Sequence, residues 1–127
     1  MNFVKAGAAL LIRDRRMGLH LFFVLTDPDS KNHLVVTAAV VTERSHTDKT
    51  CRLNVGDHPF IRHASNVDYG SATFVPLGRI EEWLKSGQAT FQGNLSPALL
   101  KLIQQGLLSS SRTIHAIVDH CRPLFDT

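Results

Sequence analysis

The sequence predicts an α+β fold, in which a small antiparallel β-barrel or strongly bent sheet precedes a set of C-terminal helices. Two observations predict it. Before residue 77 the apolar residues form short runs separated by polar turns, which is typical of strands. After residue 77 the apolar residues recur every three or four positions, which is typical of helices. The chain has 127 residues, a length that suits a single domain with strands over about 3–76 and helices over about 77–122.

Five segments of the first half predict strands, namely residues 5–12, 19–26, 33–42, 50–54 and 67–76. Polar turns separate the first three segments, and the second of these turns is Asp27-Pro28-Asp29-Ser30. The run Leu-Val-Val-Thr-Ala-Ala-Val-Val at 34–41 is apolar at both odd and even positions, so we expect a central strand that is buried on both faces. Short strands joined by tight turns favour antiparallel pairing.

The first helix is predicted over 79–85 and is expected to end at Gly87. Its apolar residues share one helical face at spacings i, i+3 and i+4, and they are Ile80, Trp83 and Leu84. This spacing favours a core position for the tryptophan over a role in stacking nucleobases. Ser96-Pro97 predicts the start of a second helix, because a serine N-cap and a proline at the first helical position both suit a helix N-terminus.

The second helix carries an apolar stripe formed by Leu99, Leu100, Ile103 and Leu107, and Gly106 is expected to interrupt it. A last helix is predicted from about Ser111, with a core-facing side formed by Ile114, Ile117, Val118 and Cys121. The change from strand period to helix period near residue 77 therefore indicates an α+β domain, and no repeat or linker divides the chain.

Composition excludes several classes of protein. With 43% hydrophobic and 20% charged residues the chain does not have the composition of a disordered protein. No apolar run approaches the roughly 20 residues that a membrane-spanning helix needs. The short apolar stretch 6–12 is followed by Arg13, Arg15 and Arg16, which is unlike a secretory signal. These features predict a cytoplasmic protein without a membrane partner.

The charge pattern indicates a mild preference for polyanions. Fourteen Lys and Arg against eleven Asp and Glu give a net charge of +3, and seven histidines add positive charge at acidic pH. The two cysteines, Cys51 and Cys121, lie 70 positions apart and form no CxxC motif. A lone pair of cysteines in a cytoplasmic protein predicts two reduced, structural thiols.

Most of the reactive side chains are concentrated in residues 43–69. They are Arg44, His46, Asp48, Asp57, His58, Arg62, His63, Ser65, Asp68 and Tyr69. The residues Gly56-Asp57-His58-Pro59 predict a tight turn, after which an extended chain would place His58, Phe60 and Arg62 on one side. Histidines, arginines and hydroxyls on loops above a barrel suit an acid, a base and a phosphate clamp. The alternative is a turn in which Asp57 and His58 only hold the backbone.

Three stretches of the sequence resemble a branch of the PemK/MazF-like proteins of bacterial toxin–antitoxin or phage-associated loci. They are LHLFFVLTDP, LVVTAAVVTERSHTDKT and GDHPFIRHASNVDYGSA, and LSPALLKLIQQGLLSS is similar to the closing helix of that branch. The resemblance covers about residues 19–110. It implies a small SH3-like barrel with a C-terminal helix, a homodimer, and metal-free RNA cleavage through Arg, His, Asp and Ser or Thr side chains.

The leading hypothesis is therefore a toxin that cleaves RNA as a metal-independent endoribonuclease and is neutralised by a cognate antitoxin protein. We predict catalytic roles for His58, Arg62, His63 and Ser65 and substrate binding by Arg44, His46, Asp48, Asp57 and Tyr69, with no metal or cofactor. The two catalytic histidines suit the acid and base, because histidine ordinarily titrates near pH 6.5. We expect all four catalytic residues in one groove, together with part of the 43–49 loop.

Two alternatives remain open from the residues. The first is a non-catalytic binding module of the same fold that acts on a protein partner, and it is favoured by the balanced charge of 43–69, where four acids face four bases. The second is a metal site, but His58-x4-His63 and His115-x4-His120-Cys121 match no established zinc spacing. A positive groove would support RNA as the ligand, and a flat apolar patch would support a protein.

Overall fold

The computed structural model describes residues 4–14 and 18–125, and it confirms the α+β fold. The basic residues Arg15 and Arg16 lie outside the described residues. The described residues form six strands and three helices. The strands are β1 (Ala8–Asp14), β2 (Gly18–Val24), β3 (Leu34–Thr42), β4 (Arg52–Leu53), β5 (Ser65–Pro76) and β6 (Ala89–Asn94). The helices are α1 (Leu77–Ser86), α2 (Pro97–Ser109) and α3 (His115–Phe125).

The strands form one curled antiparallel sheet, in the order β4-β5-β3-β2-β1-β6. It is a half-open barrel, because β4 and β6 lie at opposite edges. Strand β3 lies inside the sheet and pairs with β2 and β5, as its two apolar faces predict. The register shifts between Thr37 and Ala39, where β3 pairs with β5, and irregularities of this kind bend a strand and increase its twist.

Helices cover both faces of the sheet, which explains why β1 is apolar at successive positions. Ala9 and Leu11 belong to the core that α2 and α3 complete. Leu10 and Ile12 point to the opposite face and belong to the core that α1 completes. Trp83 packs against this second core, as its helical spacing predicts.

Two predicted helix boundaries are confirmed. The first helix ends at Gly87, whose φ of 83° is the left-handed conformation that glycine adopts readily. The second helix begins after Ser96, whose Oγ accepts a hydrogen bond from the Leu99 amide at 3.2 Å. Strand β6 was not predicted. It is a short segment between two helices, and it is ordered by pairing with β1.

The interruption predicted at Gly106 is wrong, because α2 continues to Ser109. The glycine is needed for packing instead: a Cβ at this position would lie 2.2 Å from the Tyr69 hydroxyl. The predicted start of the last helix is also wrong. A turn at 110–113, in which the Arg112 amide donates to Ser110 Oγ, delays the helix to His115 and leaves Ile114 56% exposed.

The cysteines are free thiols, as predicted. Cys51 and Cys121 are both buried, and burial raises the pKa of the Cys121 thiol to about 11. Of the helices in the described residues, none combines the length and the apolar character that crossing a membrane requires.

Candidate functional site

A groove of about 390 Å³ opens where the turn 58–63 passes over the ends of β2 and β3. Its floor is apolar and includes Leu11, Leu21, Val40 and Ile61. Its rim is polar and carries Thr42, Arg62 and His63, and the buried Ser65 lines the groove beneath them. Three of the four residues predicted to be catalytic therefore line one groove, and we call it the rim groove.

A second depression of about 320 Å³ adjoins the rim groove and shares Thr42 and His63 with it. Glu43 and Arg44 also line this depression. His63 thus lies where the two concavities meet, with Arg62 lining one and Arg44 lining the other. This arrangement brings part of the 43–49 loop to the predicted groove.

Three polar side chains around the two concavities are exposed, and two of them are arginines. Arg44, Arg62 and His63 are exposed. Within residues 4–14 and 18–125, no hydrogen bond or ion pair engages the side chains of Arg62 and His63. The nearby Glu43 carboxylate is already paired, since its Oε1 lies 3.3 Å from Arg52 Nε and accepts a hydrogen bond from Asn66 Nδ2 at 3.1 Å. The rim can therefore attract a phosphate.

His58 does not line the rim groove. It lines a separate depression of about 570 Å³ on the other side of Arg62 and Ile61, and its residue exposure is only 5%. Its Nε2 lies 3.0 Å from the Gln92 carbonyl oxygen, and its Nδ1 lies 3.2 Å from the Phe60 amide. Since the carbonyl only accepts and the amide only donates, these partners assign a neutral ring with the proton on Nε2.

The turn around His58 is also closed by Asp57. Its Oδ2 accepts a hydrogen bond from the Asn54 amide at 2.7 Å, and its own amide donates to the Asn54 carbonyl at 3.0 Å. The Ile61 amide donates to the His58 carbonyl, so residues 58–61 form a turn and not an extended chain. Asp57 and His58 therefore both bond to backbone groups.

Ser65 lies beneath the rim. Its side chain is buried and its Oγ donates to the His63 carbonyl at 2.9 Å. This bond fixes the backbone that carries the His63 ring. A hydroxyl engaged in this way supports the rim from below.

Asp48 is buried and ties the 43–49 loop to the end of α2. It accepts hydrogen bonds from the Thr50 amide at 2.9 Å and from Ser110 Oγ at 2.5 Å. Burial alone would raise the pKa of Asp48, but the hydrogen bonds from Ser110 and Thr50 favour the carboxylate and hold the pKa below its ordinary value. Asp48 is therefore a charged anchor inside the protein.

Tyr69 is fully buried beneath α2. Its hydroxyl donates to the Ile103 carbonyl at 2.7 Å, and burial raises the pKa of this phenol. Tyr69 is therefore not accessible to a substrate at the surface of the described part of the chain.

Hydrogen bonds hold the 43–49 loop in place, although most of its residues are exposed. The Arg44 amide donates to Thr47 Oγ1 at 2.9 Å, and Lys49 Nζ donates to the carbonyls of Arg44 and Thr47. Thr47 Oγ1 is also 2.6 Å from Asn66 Oδ1 on β5. His46 is exposed on this loop and lines neither the rim groove nor the adjoining depression.

Sequence reasoning missed Glu43 and Phe60. Glu43 is an isolated acid in the sequence, and only the fold places it beside His63. Phe60 is 39% exposed at the groove, although its position between Pro59 and Ile61 reads as core. His20 borders the groove as well, but strand alternation assigns its side chain to the other face, with that of its cross-strand neighbour Ile12.

The described residues contain no cluster of three or more His, Cys, Asp or Glu side chains placed to hold a metal ion. No family model matches the sequence, and no curated protein matches it either. The chain is similar to the solved structure of an endoribonuclease in complex with its cognate antitoxin, from a mycobacterial species. The TM-score is 0.54 at 16% sequence identity, with 83% of this chain and 91% of that chain covered. At this identity the likeness shows a shared fold.

Proposed function

We propose that this protein is the toxin of a type II toxin–antitoxin system and that it inhibits growth as an endoribonuclease that needs no metal ion. One observation carries the proposal: Arg44, Arg62 and His63 are exposed around two joined concavities. The similarity in fold to an endoribonuclease supports the same conclusion. The cognate antitoxin, a homodimeric assembly and a cytoplasmic location belong to this proposal.

The proposed reaction is an internal transfer within the RNA. A base removes the proton of a ribose 2′-hydroxyl, and the 2′-oxygen attacks the adjacent phosphorus. The bond between phosphorus and the 5′-oxygen then breaks, and an acid donates a proton to that oxygen. The products are a 2′,3′-cyclic phosphate and a 5′-hydroxyl end. Cations stabilise the extra negative charge on the phosphorane.

We assign the acid to His63 and the base to Glu43, which line the same depression. Both partners of Glu43 contact Oε1, so in the part of the chain that the structure describes Oε2 remains to accept a proton. Arg62 and Arg44 flank His63 and present planar donor groups, which suit a phosphate. Of the four residues predicted to be catalytic, this proposal keeps the chemical roles of Arg62 and His63.

The remaining predicted residues receive other roles. We propose that His58, Asp57 and Ser65 fix the turn and the rim, since their hydrogen bonds go to the backbone. Asp48 and Tyr69 hold the 43–49 loop and β5 against α2. His46 extends the RNA contact beyond Arg44 along the same exposed loop.

The test is cleavage of a long RNA by the purified protein in the presence of a chelator. We expect cleavage to continue in EDTA and to leave 2′,3′-cyclic phosphate and 5′-hydroxyl ends. Arg62→Gln should slow cleavage, because the planar charge that stabilises the phosphorane is lost. Loss of cleavage in EDTA would contradict the proposed mechanism, and so would 5′-phosphate ends on the products formed without EDTA.

A non-catalytic binding module is the second candidate, and the groove floor favours it. Leu11, Leu21, Val40 and Ile61 are apolar, and Leu19 beside them is 53% exposed. Such a floor also suits a protein segment. This candidate predicts growth inhibition without cleavage of any RNA, and the same assay separates it from the nuclease.

A further inference from the structure

Phe60 differs from the other exposed apolar residues. Six large hydrophobic residues of the described part of the chain are exposed, and Phe60 is the only aromatic one among them. The others are Leu19, Val55, Leu102, Ile114 and Leu124. It is 39% exposed and lines the rim groove. An aromatic ring that is held at the mouth of a polar groove has a flat apolar surface available to a ligand.

The ring of Phe60 is held by a column of rings that reaches the core. Its centroid lies 5.9 Å from that of His58, and the two planes are 27° apart, in a stacked arrangement. His58 in turn contacts Phe23 edge to face, with centroids 6.3 Å apart, and Phe23 is fully buried. The bond from the Phe60 amide to His58 Nδ1 fixes the backbone. Phe60 is thus placed before any ligand arrives, which lowers the entropic cost of binding.

Two side chains that can bind a phosphate line the same groove as this ring. Arg62 and His63 follow Phe60 closely in the chain and line the same groove. A nucleotide carries a flat base and an anionic phosphate a few bonds apart, so it matches a flat apolar ring beside a cation. We propose that an unpaired base of the RNA substrate stacks on Phe60 while Arg62 and His63 hold the neighbouring phosphate. This inference rests on the proposed function and adds Phe60 as the residue that positions the base.

Charge and stacking both favour a nucleotide as the occupant. The acid near the rim, Glu43, is paired with Arg52, so the exposed groups beside Phe60 favour an anion. In a duplex the bases stack on one another and are not available to a protein ring, whereas an unpaired base is. A base-paired RNA should therefore bind more weakly than the same strand alone.

The experiment has two steps. The wild-type protein first cleaves a long RNA, and the mapped cut sites fix the sequence of a short probe. The probe is a 2′-O-methyl oligoribonucleotide, which cannot be cut, with 2-aminopurine next to the cut site. Fluorescence anisotropy measures its affinity, and quenching of 2-aminopurine reports stacking.

We expect Phe60→Leu to weaken binding roughly 5- to 150-fold, which is the range for loss of one stacked base, and to abolish the quenching. Phe60→Tyr keeps the ring and should retain both signals. Leu102→Ala is the matched control, because Leu102 is an exposed apolar residue on α2 outside the rim groove, and it should bind as the wild type does. Thermal unfolding of each variant establishes that it is folded.

The outcomes separate the two proposals. If the wild type cuts RNA and Phe60→Leu binds the probe with unchanged affinity and quenching, the stacking proposal is overturned and the nuclease proposal stands. If the wild type cuts no RNA, both are overturned. If Phe60→Leu weakens binding of a protein partner and leaves RNA binding unchanged, the ring belongs to a protein interface.

Discussion

The residues that sequence reasoning selected fall into two regions that differ in what their side chains contact. Asp48, His58, Ser65 and Tyr69 form an inner layer, and each is buried with its polar atoms bonded within the protein. Arg62 and His63 on the rim, with Arg44 beside them in the adjoining depression, are exposed. Histidine occurs in both regions, so this residue type does not by itself separate support from chemistry. The two regions differ in whether the polar atoms of the side chain already have hydrogen-bond partners within the protein.

His58 and His63 make the comparison sharpest, because they lie five positions apart on one turn. The difference between them comes from a distant strand: Gln92 on β6 supplies the carbonyl that bonds His58 Nε2. His63 faces the groove, and in the described residues its ring has no such partner. The inner layer should therefore govern stability and the rim should govern activity.

The largest expected effect is on the activity of the rim. His63→Ala should lower the cleavage rate by about 10²- to 10⁴-fold, the usual cost of losing a general acid or base. Its free energy of unfolding should change by no more than about 0.5 kcal/mol, because the side chain is exposed. Cleavage kinetics and urea unfolding measure the two quantities.

His115→Ala is the matched control for this variant. His115 is an exposed histidine on α3 that lines neither the rim groove nor the adjoining depression, and its removal should leave the rate unchanged. The wild-type rate should also show a bell-shaped dependence on pH, as an acid and a base acting together require. Full activity of His63→Ala would remove this residue from the mechanism.

The inner layer should respond in the opposite way. His58→Ala removes a buried ring that packs against Phe23, and it leaves the part-buried Gln92 carbonyl and Phe60 amide without their partner, which costs up to about 1–3 kcal/mol for each group that water does not reach. We expect the free energy of unfolding to fall by about 2–4 kcal/mol in urea titrations. A variant that unfolds as the wild type does but cuts no RNA would instead make His58 a catalytic residue.

Much of the fold follows from the sequence, because hydrophobic period and cap residues are local signals. The two apolar faces of β3 and the start of α2 at Ser96-Pro97 are both confirmed. Gly106 shows the limit of such signals. A glycine in a helix suggests an interruption, but its role here is to make room for Tyr69, which lies 37 positions earlier in the chain.

The site was harder to predict, because it also depends on contacts between residues that are distant in the sequence. The sequence selected one segment, and three of the four residues predicted to be catalytic line one groove. The sequence did not reveal that the His58 ring already has hydrogen-bond partners, because one of them lies on β6, which has no clear strand pattern. Similarly, the Glu43 carboxylate is bonded to Asn66 on β5 and to Arg52 on β4, and the sequence does not show these contacts between strands.

The packing of the inner layer can be tested at Gly106. A Cβ at this position would lie 2.2 Å from the Tyr69 hydroxyl and 2.9 Å from the ring carbon that bears it, so Gly106→Ala must displace a buried ring. We expect a loss of about 1–3 kcal/mol in the free energy of unfolding. Gly78→Ala is the matched control in α1. Nothing lies within 4 Å of its added Cβ, so alanine should stabilise that helix by up to about 1 kcal/mol. Equal behaviour of the two variants would mean that Tyr69 is loosely packed.

The smallest expected effect concerns the charge of Asp48 and depends on pH. The pKa of this carboxyl is lower in the folded protein than its ordinary value, so the unfolded chain binds the proton more tightly. The charge therefore contributes stability above about pH 4, and the contribution is lost as the pH falls through the folded pKa. Asp48→Asn keeps an acceptor but not the charge, and charged hydrogen bonds are about 1 kcal/mol stronger than neutral ones. We expect this variant to be about 1 kcal/mol less stable than the wild type at pH 7, with a difference that shrinks towards zero in acid. Ser110→Ala removes one of the bonds that lower the pKa, so it should reduce the same pH dependence only in part. A constant difference between wild type and Asp48→Asn from pH 7 down to about pH 2 would show that the carboxylate charge contributes nothing to the inner layer.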